Sequence, residues 1–228
     1  RYYNSGIEKS LTPFLDSIFS RSVTFNGMAN GRKSIEAVPS ILSGIPSLMA
    51  NDYVSSAYAG NHIEGLGTVM KENGYATAFF HGGNNGTMSF DATSSSAGFD
   101  TYFGRDEYAN DSDYDGTWGI PDMPFLQFTA QTINEMRKPF AAAVFTLSSH
   151  HPFTIPHGYS VPEGSYRTEF EKTVRYADDS MRKFFETMSA YSWYDSTIFV
   201  FTADHVCPEH HFEEYLNDYG QYRVPIAF

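Results

Sequence analysis

Three short apolar runs, far apart in the chain, each lead into a histidine. Tyr75-Ala-Thr-Ala-Phe-Phe80 is followed by His81, Phe140-Ala-Ala-Ala-Val-Phe-Thr-Leu147 runs on to His150, and Ser196-Thr-Ile-Phe-Val-Phe-Thr-Ala203 leads to Asp204 and His205. Runs this short are below ordinary helix length and suit strands buried on both faces of a parallel sheet. Ligands of open α/β sheets bind at the carboxyl ends of the strands, so His81, His150 and His205 are expected on one functional rim. A surface histidine has no reason to prefer strand ends. Asp204 beside His205 suits a divalent metal of the manganese or zinc type, provided the chain has already turned there, because neighbours within a strand point to opposite faces. An aspartate capping a loop next to a surface histidine would look the same.

Helical patterns separate the runs. Thr12-Pro13 opens one with Phe14, Leu15, Ile18 and Phe19, and a strand is expected at Val23-Thr24-Phe25, followed by a turn over 26–31. Ile35, Val38, Ile41 and Leu42 lie on one face of a helix ending near Gly44. Ser34 opens that helix, where free N–H groups and the helix dipole favour an anion; its hydroxyl could attack a phosphoryl group there, although serine is also a common N-cap. Asn61 is expected to cap a helix that carries Ile63, Leu66, Val69 and Met70 and ends at Gly74. Residues 91–119, rich in Ser, Gly, Asp and Tyr, read as a long surface excursion, and their acidic residues lack EF-hand spacing. Pro124 opens a further helix, and Glu169–Met188 is the clearest amphipathic one. The fold class is therefore α/β, a mostly parallel central sheet with helices on both faces, in a single domain over 1–228.

Composition narrows the partners. A net charge of −12 argues against nucleic acid, whose phosphates are neutralised by Lys and Arg. A small anion would need a metal, a helix N-terminus or a few placed cations. The single cysteine, Cys207, excludes an internal disulfide and a Cys-rich zinc site. No apolar run reaches the ~18 residues of a membrane span. The abrupt beginning at Arg1 and an apparently unfinished strand at Val224–Phe228 suggest a piece of a longer protein.

The ordered set Asn30-Gly-Arg-Lys-Ser34, Phe80-His-Gly82, Ser148-Ser-His-His-Pro-Phe153 and Thr202-Ala-Asp-His205 resembles the sulfatase-like phosphoglycerol transferases of the alkaline phosphatase superfamily, the group that includes lipoteichoic acid synthases. The resemblance runs from Leu11 to Phe228. It implies that Ser34 is the hydroxyl nucleophile and a metal ligand, that Asp204 and His205 are further ligands, and that His81 and His150 line the glycerophosphate pocket and bind or protonate the transferred group. The implied cofactor is one divalent ion, manganese, with magnesium or zinc as alternatives; it would activate Ser34 and stabilise charge on the phosphoryl oxygens. The implied reaction moves a phosphoglycerol-type headgroup from a phospholipid to a glycan or glycerophosphate hydroxyl through a covalent Ser34 intermediate. It is set on the extracytoplasmic face of a bacterial membrane, with membrane helices upstream. Hydrolysis of a phosphate or sulfate ester by the same site, or a binding domain that kept only the fold, are the alternatives.

The chain departs from the group's pattern in three places. A fourth ligand, a glutamate after the first strand, is expected upstream of Arg1. The tryptophan and arginine that follow the first pocket histidine in the synthases are matched by Met88 and Phe90. Neither Cys207 nor Ser34 sits in the Cys/Ser-x-Pro-x-Arg motif from which sulfatases proper make formylglycine.

Overall fold

A computed structural model describes residues 10–208 and 212–228. Its elements in chain order are α1 (Pro13–Phe19), β1 (Thr24–Met28), α2 (Ser34–Ser43), α3 (Leu66–Glu72), β2 (Ala76–His81), α4 (Phe90–Ser96), β3 (Thr101–Phe103), α5 (Arg105–Tyr108), α6 (Asp122–Glu135), β4 (Phe140–Phe145), α7 (Glu169–Met188), β5 (Phe201–Thr202) and β6 (Arg223–Ala227), with short 3₁₀ turns between them. His210 and His211, expected from the sequence to lie on the surface, are outside the described residues.

The α/β class holds, with parallel and antiparallel pairings in separate three-stranded sheets. In the first, β2 lies between β3 and β4 and is parallel to both, with Phe80 opposite Phe103 and Val144. Helices cover both faces, as the period of two in β2 requires. Ala78 and Phe80 point into a core with Phe125, Leu126, Phe184 and Met188 of α6 and α7. Phe79 points the other way, against Val38 and Leu42 of α2 and Phe90 of α4.

The second sheet corrects the expected single parallel rim. In it β6 pairs antiparallel with both β1 and β5. The 196–203 run is not buried on both faces: Ile198 and Val200 are 83% and 65% exposed, while Phe199, on the alternate side, packs on Phe185 at 4.8 Å. Within the described chain only Phe201 and Thr202 of that run enter a ladder.

Four local expectations also change. The strand at 23–25 extends through Met28, because β6 supplies partners to Asn26, Gly27 and Met28 and overrides their turn propensity. Asn61 lies outside α3, which begins after Gly65. Residues 91–119 are not a surface excursion, since they supply α4, α5 and the sheet strand β3. Thr12 does not cap α1 with its side chain; the distant Asp178 of α7 accepts from the Phe14 and Leu15 N–H groups at 3.0 and 2.9 Å.

Candidate active site

Lys33 is extended at the N-cap of α2 and Ser34 is the first helical residue, 8% exposed. The far end of α2 is closed by Gly44 at φ 65°, a left-handed conformation that glycine adopts without a Cβ penalty. The Ser34 hydroxyl donates to Asp204 Oδ2 at 2.6 Å, across 170 residues of sequence. His205 Nε2 lies 3.4 Å from the same oxygen. β5 has ended at Thr202 and the chain bends at 204–205, so adjacent residues serve one locus.

The His205 ring orientation bears on metal binding. Its Nδ1 is 2.9 Å from the Val206 carbonyl, which can only accept, so Nδ1 carries a hydrogen and Nε2 is the nitrogen directed at the Asp204 carboxylate. An imidazole whose other nitrogen donates to a backbone carbonyl is the usual arrangement of a metal-bound histidine. Donors held at ~2.1 Å on a tetrahedral ion stand about 3.4 Å apart, which matches the separation seen here. Ser34, Asp204 and His205 therefore fit a divalent ion, although among the described residues no three His, Cys, Asp or Glu side chains gather as a metal-binding group.

The two histidines expected to line the pocket, His81 and His150, lie at the carboxyl edge of the parallel sheet, but in unlike settings. His81, opposite Phe145 in the β2–β4 register, is 2% exposed and held between Phe145, stacked at 5.1 Å, and Phe90, edge-on at 5.1 Å. Its Nδ1 is 3.1 Å from the Phe145 carbonyl. Burial lowers its pKa from 6.5 to about 4; the Phe145 carbonyl opposes the shift, and repulsion from His150 adds to it. With its pKa so lowered the ring is neutral near pH 7, which favours binding over protonation of the two roles expected for His81. Because its folded pKa is depressed, stability present above pH 6.5 is lost as pH falls toward 4. The loss amounts to about 3 kcal/mol. Urea titrations of His81→Gln against the parent across that window should show this share of acid lability removed.

His150 is exposed, in the turn after β4. Two residues that sequence reasoning did not single out hold this turn. Asp122, at the start of α6 and 3% exposed, accepts from Leu147 N–H at 2.7 Å and Ser148 N–H at 3.2 Å, and its own N–H donates to Ser148 Oγ at 2.9 Å. Burial pushes its carboxyl from 3.8 up to about 6, with those hydrogen bonds opposing. Trp118 Nε1–H donates to the His151 carbonyl at 2.7 Å, and its ring lies 4.3 Å from that of His150. A Pro-Asp pair at a helix start was the available signal for Asp122; nothing periodic marks Trp118.

Comparison with known proteins adds to this geometry. The family model described as Sulfatase matches residues 2–226. The lipoteichoic acid synthase-like YvgJ of Bacillus subtilis is 23% identical over 206 residues, 86% of this chain and 33% of that protein. Phosphoglycerol transferase I of Escherichia fergusonii is 25% identical over 95% of this chain and 30% of its own length. The chain thus spans about a third of the curated relatives it matches. A crystal structure of an alkaline phosphatase superfamily protein from Vibrio parahaemolyticus superimposes with a TM-score of 0.81 at 26% identity, covering 95% of this chain and 53% of that one.

Proposed function

The chain belongs to the sulfatase family, and from that premise we propose that residues 1–228 act as one catalytic domain of a metal-dependent transferase, which moves a phosphoglycerol-type headgroup from a phospholipid to a hydroxyl acceptor. The observation that carries the reading is the Ser34 hydroxyl directed at Asp204 Oδ2, with His205 Nε2 3.4 Å from the same oxygen. Ser34, Asp204 and His205 would hold a divalent ion, manganese in our reading, which would draw charge from the phosphoryl oxygens.

The remaining steps belong to the chain itself. Ser34 Oγ attacks phosphorus as its proton passes toward Asp204, the bond from phosphorus to the lipid alcohol breaks, and that alcohol leaves with a proton. An acceptor hydroxyl then attacks the phosphoserine and gives its proton to His150, which lost one to the lipid alcohol; the Ser34 O–P bond breaks, and Ser34 recovers its proton from Asp204. The first-turn N–H groups of α2 face developing negative charge. His150, exposed on the rim, donates to the transferred group or its leaving oxygen. His81 binds as a neutral ring, with Nε2 as an acceptor beside Gly83. Relatives named as lipoteichoic acid synthase and phosphoglycerol transferase support the substrate class and a setting on the extracytoplasmic face of a bacterial membrane. No described helix is long and apolar enough to cross a membrane.

Intact mass after incubation with manganese and phosphatidylglycerol tests the reading. A gain of one phosphoglycerol group is expected. Turnover of simple phosphate or sulfate esters without that adduct would favour the hydrolase, and neither metal nor adduct would leave a binding domain with this fold.

A further inference from the structure

We infer that Trp118 is a specificity-determining wall of the substrate site, packing against the carbon skeleton of the alcohol esterified to the transferred phosphate; this rests on the phosphoglycerol-transfer reading. The indole is fixed at both ends. Asp115 Oδ1 accepts from the N–H groups of Thr117, Trp118 and Gly119 at 2.7, 2.8 and 3.1 Å, which sets the backbone turn. The Trp118 carbonyl accepts from Asn84 N–H at 3.1 Å, and Gly119 bridges Gly83, joining this turn to the loop that follows His81. That approach is close, since a Cβ on Gly119 would stand 2.0 Å from the Gly82 carbonyl oxygen. At the other end the indole N–H is satisfied by His151.

A ring so held, half-buried, included in neither described core cluster and edge-on to His150, offers an aromatic surface already in place. The other candidates on this rim are taken up by packing. Phe90 is 2% exposed against His81, and Met88 packs on the core formed by α2 and α4. A rigid aromatic face takes up C–H groups of a polyol with little loss of side-chain freedom, while polar groups around it fix the phosphate.

Calorimetric binding of sn-glycerol 1-phosphate and of inorganic phosphate to the manganese-loaded protein tests this in Trp118→Ala and Trp118→Phe. Alanine should weaken glycerol phosphate about tenfold and leave phosphate within about twofold, whereas phenylalanine should keep most of the glycerol phosphate affinity despite losing the bond to His151. Retained phosphate binding also reports an intact fold. Equal weakening of both probes by alanine, or of neither, would overturn the inference. Failure of the parent protein to bind either probe would overturn the transfer reading, and the role of Trp118 with it.

Discussion

Ser34→Ala is expected to abolish the phosphoglycerol adduct and to lower turnover of a phosphatidylglycerol donor by at least about 10⁴-fold, since it removes the attacking oxygen of the proposed covalent step. Asp204→Asn should lower turnover by about 10³-fold for a different reason. It keeps the shape of the site but removes the charge to which Ser34 donates and that His205 Nε2 faces. Intact mass and metal content separate the two. Ser34→Ala should form no adduct while keeping the Asp204 and His205 ligands, so its manganese affinity should fall less than that of Asp204→Asn. An adduct on Ser34→Ala would place the nucleophile elsewhere and overturn the proposed mechanism.

Asp122→Ala is expected to cost roughly 4 kcal/mol of stability near neutral pH, because it strands the buried Leu147 and Ser148 N–H groups and leaves a void under the turn that carries His150. Asp122→Asn separates hydrogen bonding from charge. The folded-state pKa, about 6, lies above 3.8, so the stability linked to this group is fully present below about pH 4 and is lost as pH rises through 6. The loss is about 3 kcal/mol, and Asn should remove it. From pH 4 to pH 7 the parent's urea midpoint should therefore fall relative to that of the Asn variant. A gap that stays constant would show that Asp122 does not titrate in this window. The window overlaps that of His81 with opposite sign, so the parent's pH profile conceals both, and only the variants expose them. Tyr176, whose hydroxyl accepts from Met123 N–H beside Asp122, is held well above its ordinary range by burial and stays neutral in this window.

Within the chain itself, local chemistry identified most elements. Glu169–Met188 is a helix of the length its Phe and Met spacing describes, α2 starts at Ser34 and stops at Gly44, and β2 ends where its apolar run meets a polar turn, while β4 stops at Phe145, two residues short of its run's end. These features depend on periodicity, caps and glycine conformations, all carried by neighbouring residues. Pairing partners are not carried that way. The same apolar composition made 140–145 a parallel sheet strand and left 197–200 outside any described ladder, and β3 was hidden in a Ser- and Gly-rich stretch because three residues are too few for a period to show. Residue types and order nominated Ser34, Asp204 and His205, but only the bend after Thr202 turned an adjacent Asp and His onto one oxygen next to a serine 170 positions away. Burial likewise made His81 a neutral core-edge ring and left His150 in the open, although both follow strands of similar composition. Desolvation depends on what the rest of the chain places around a group, and only the tertiary structure decides that.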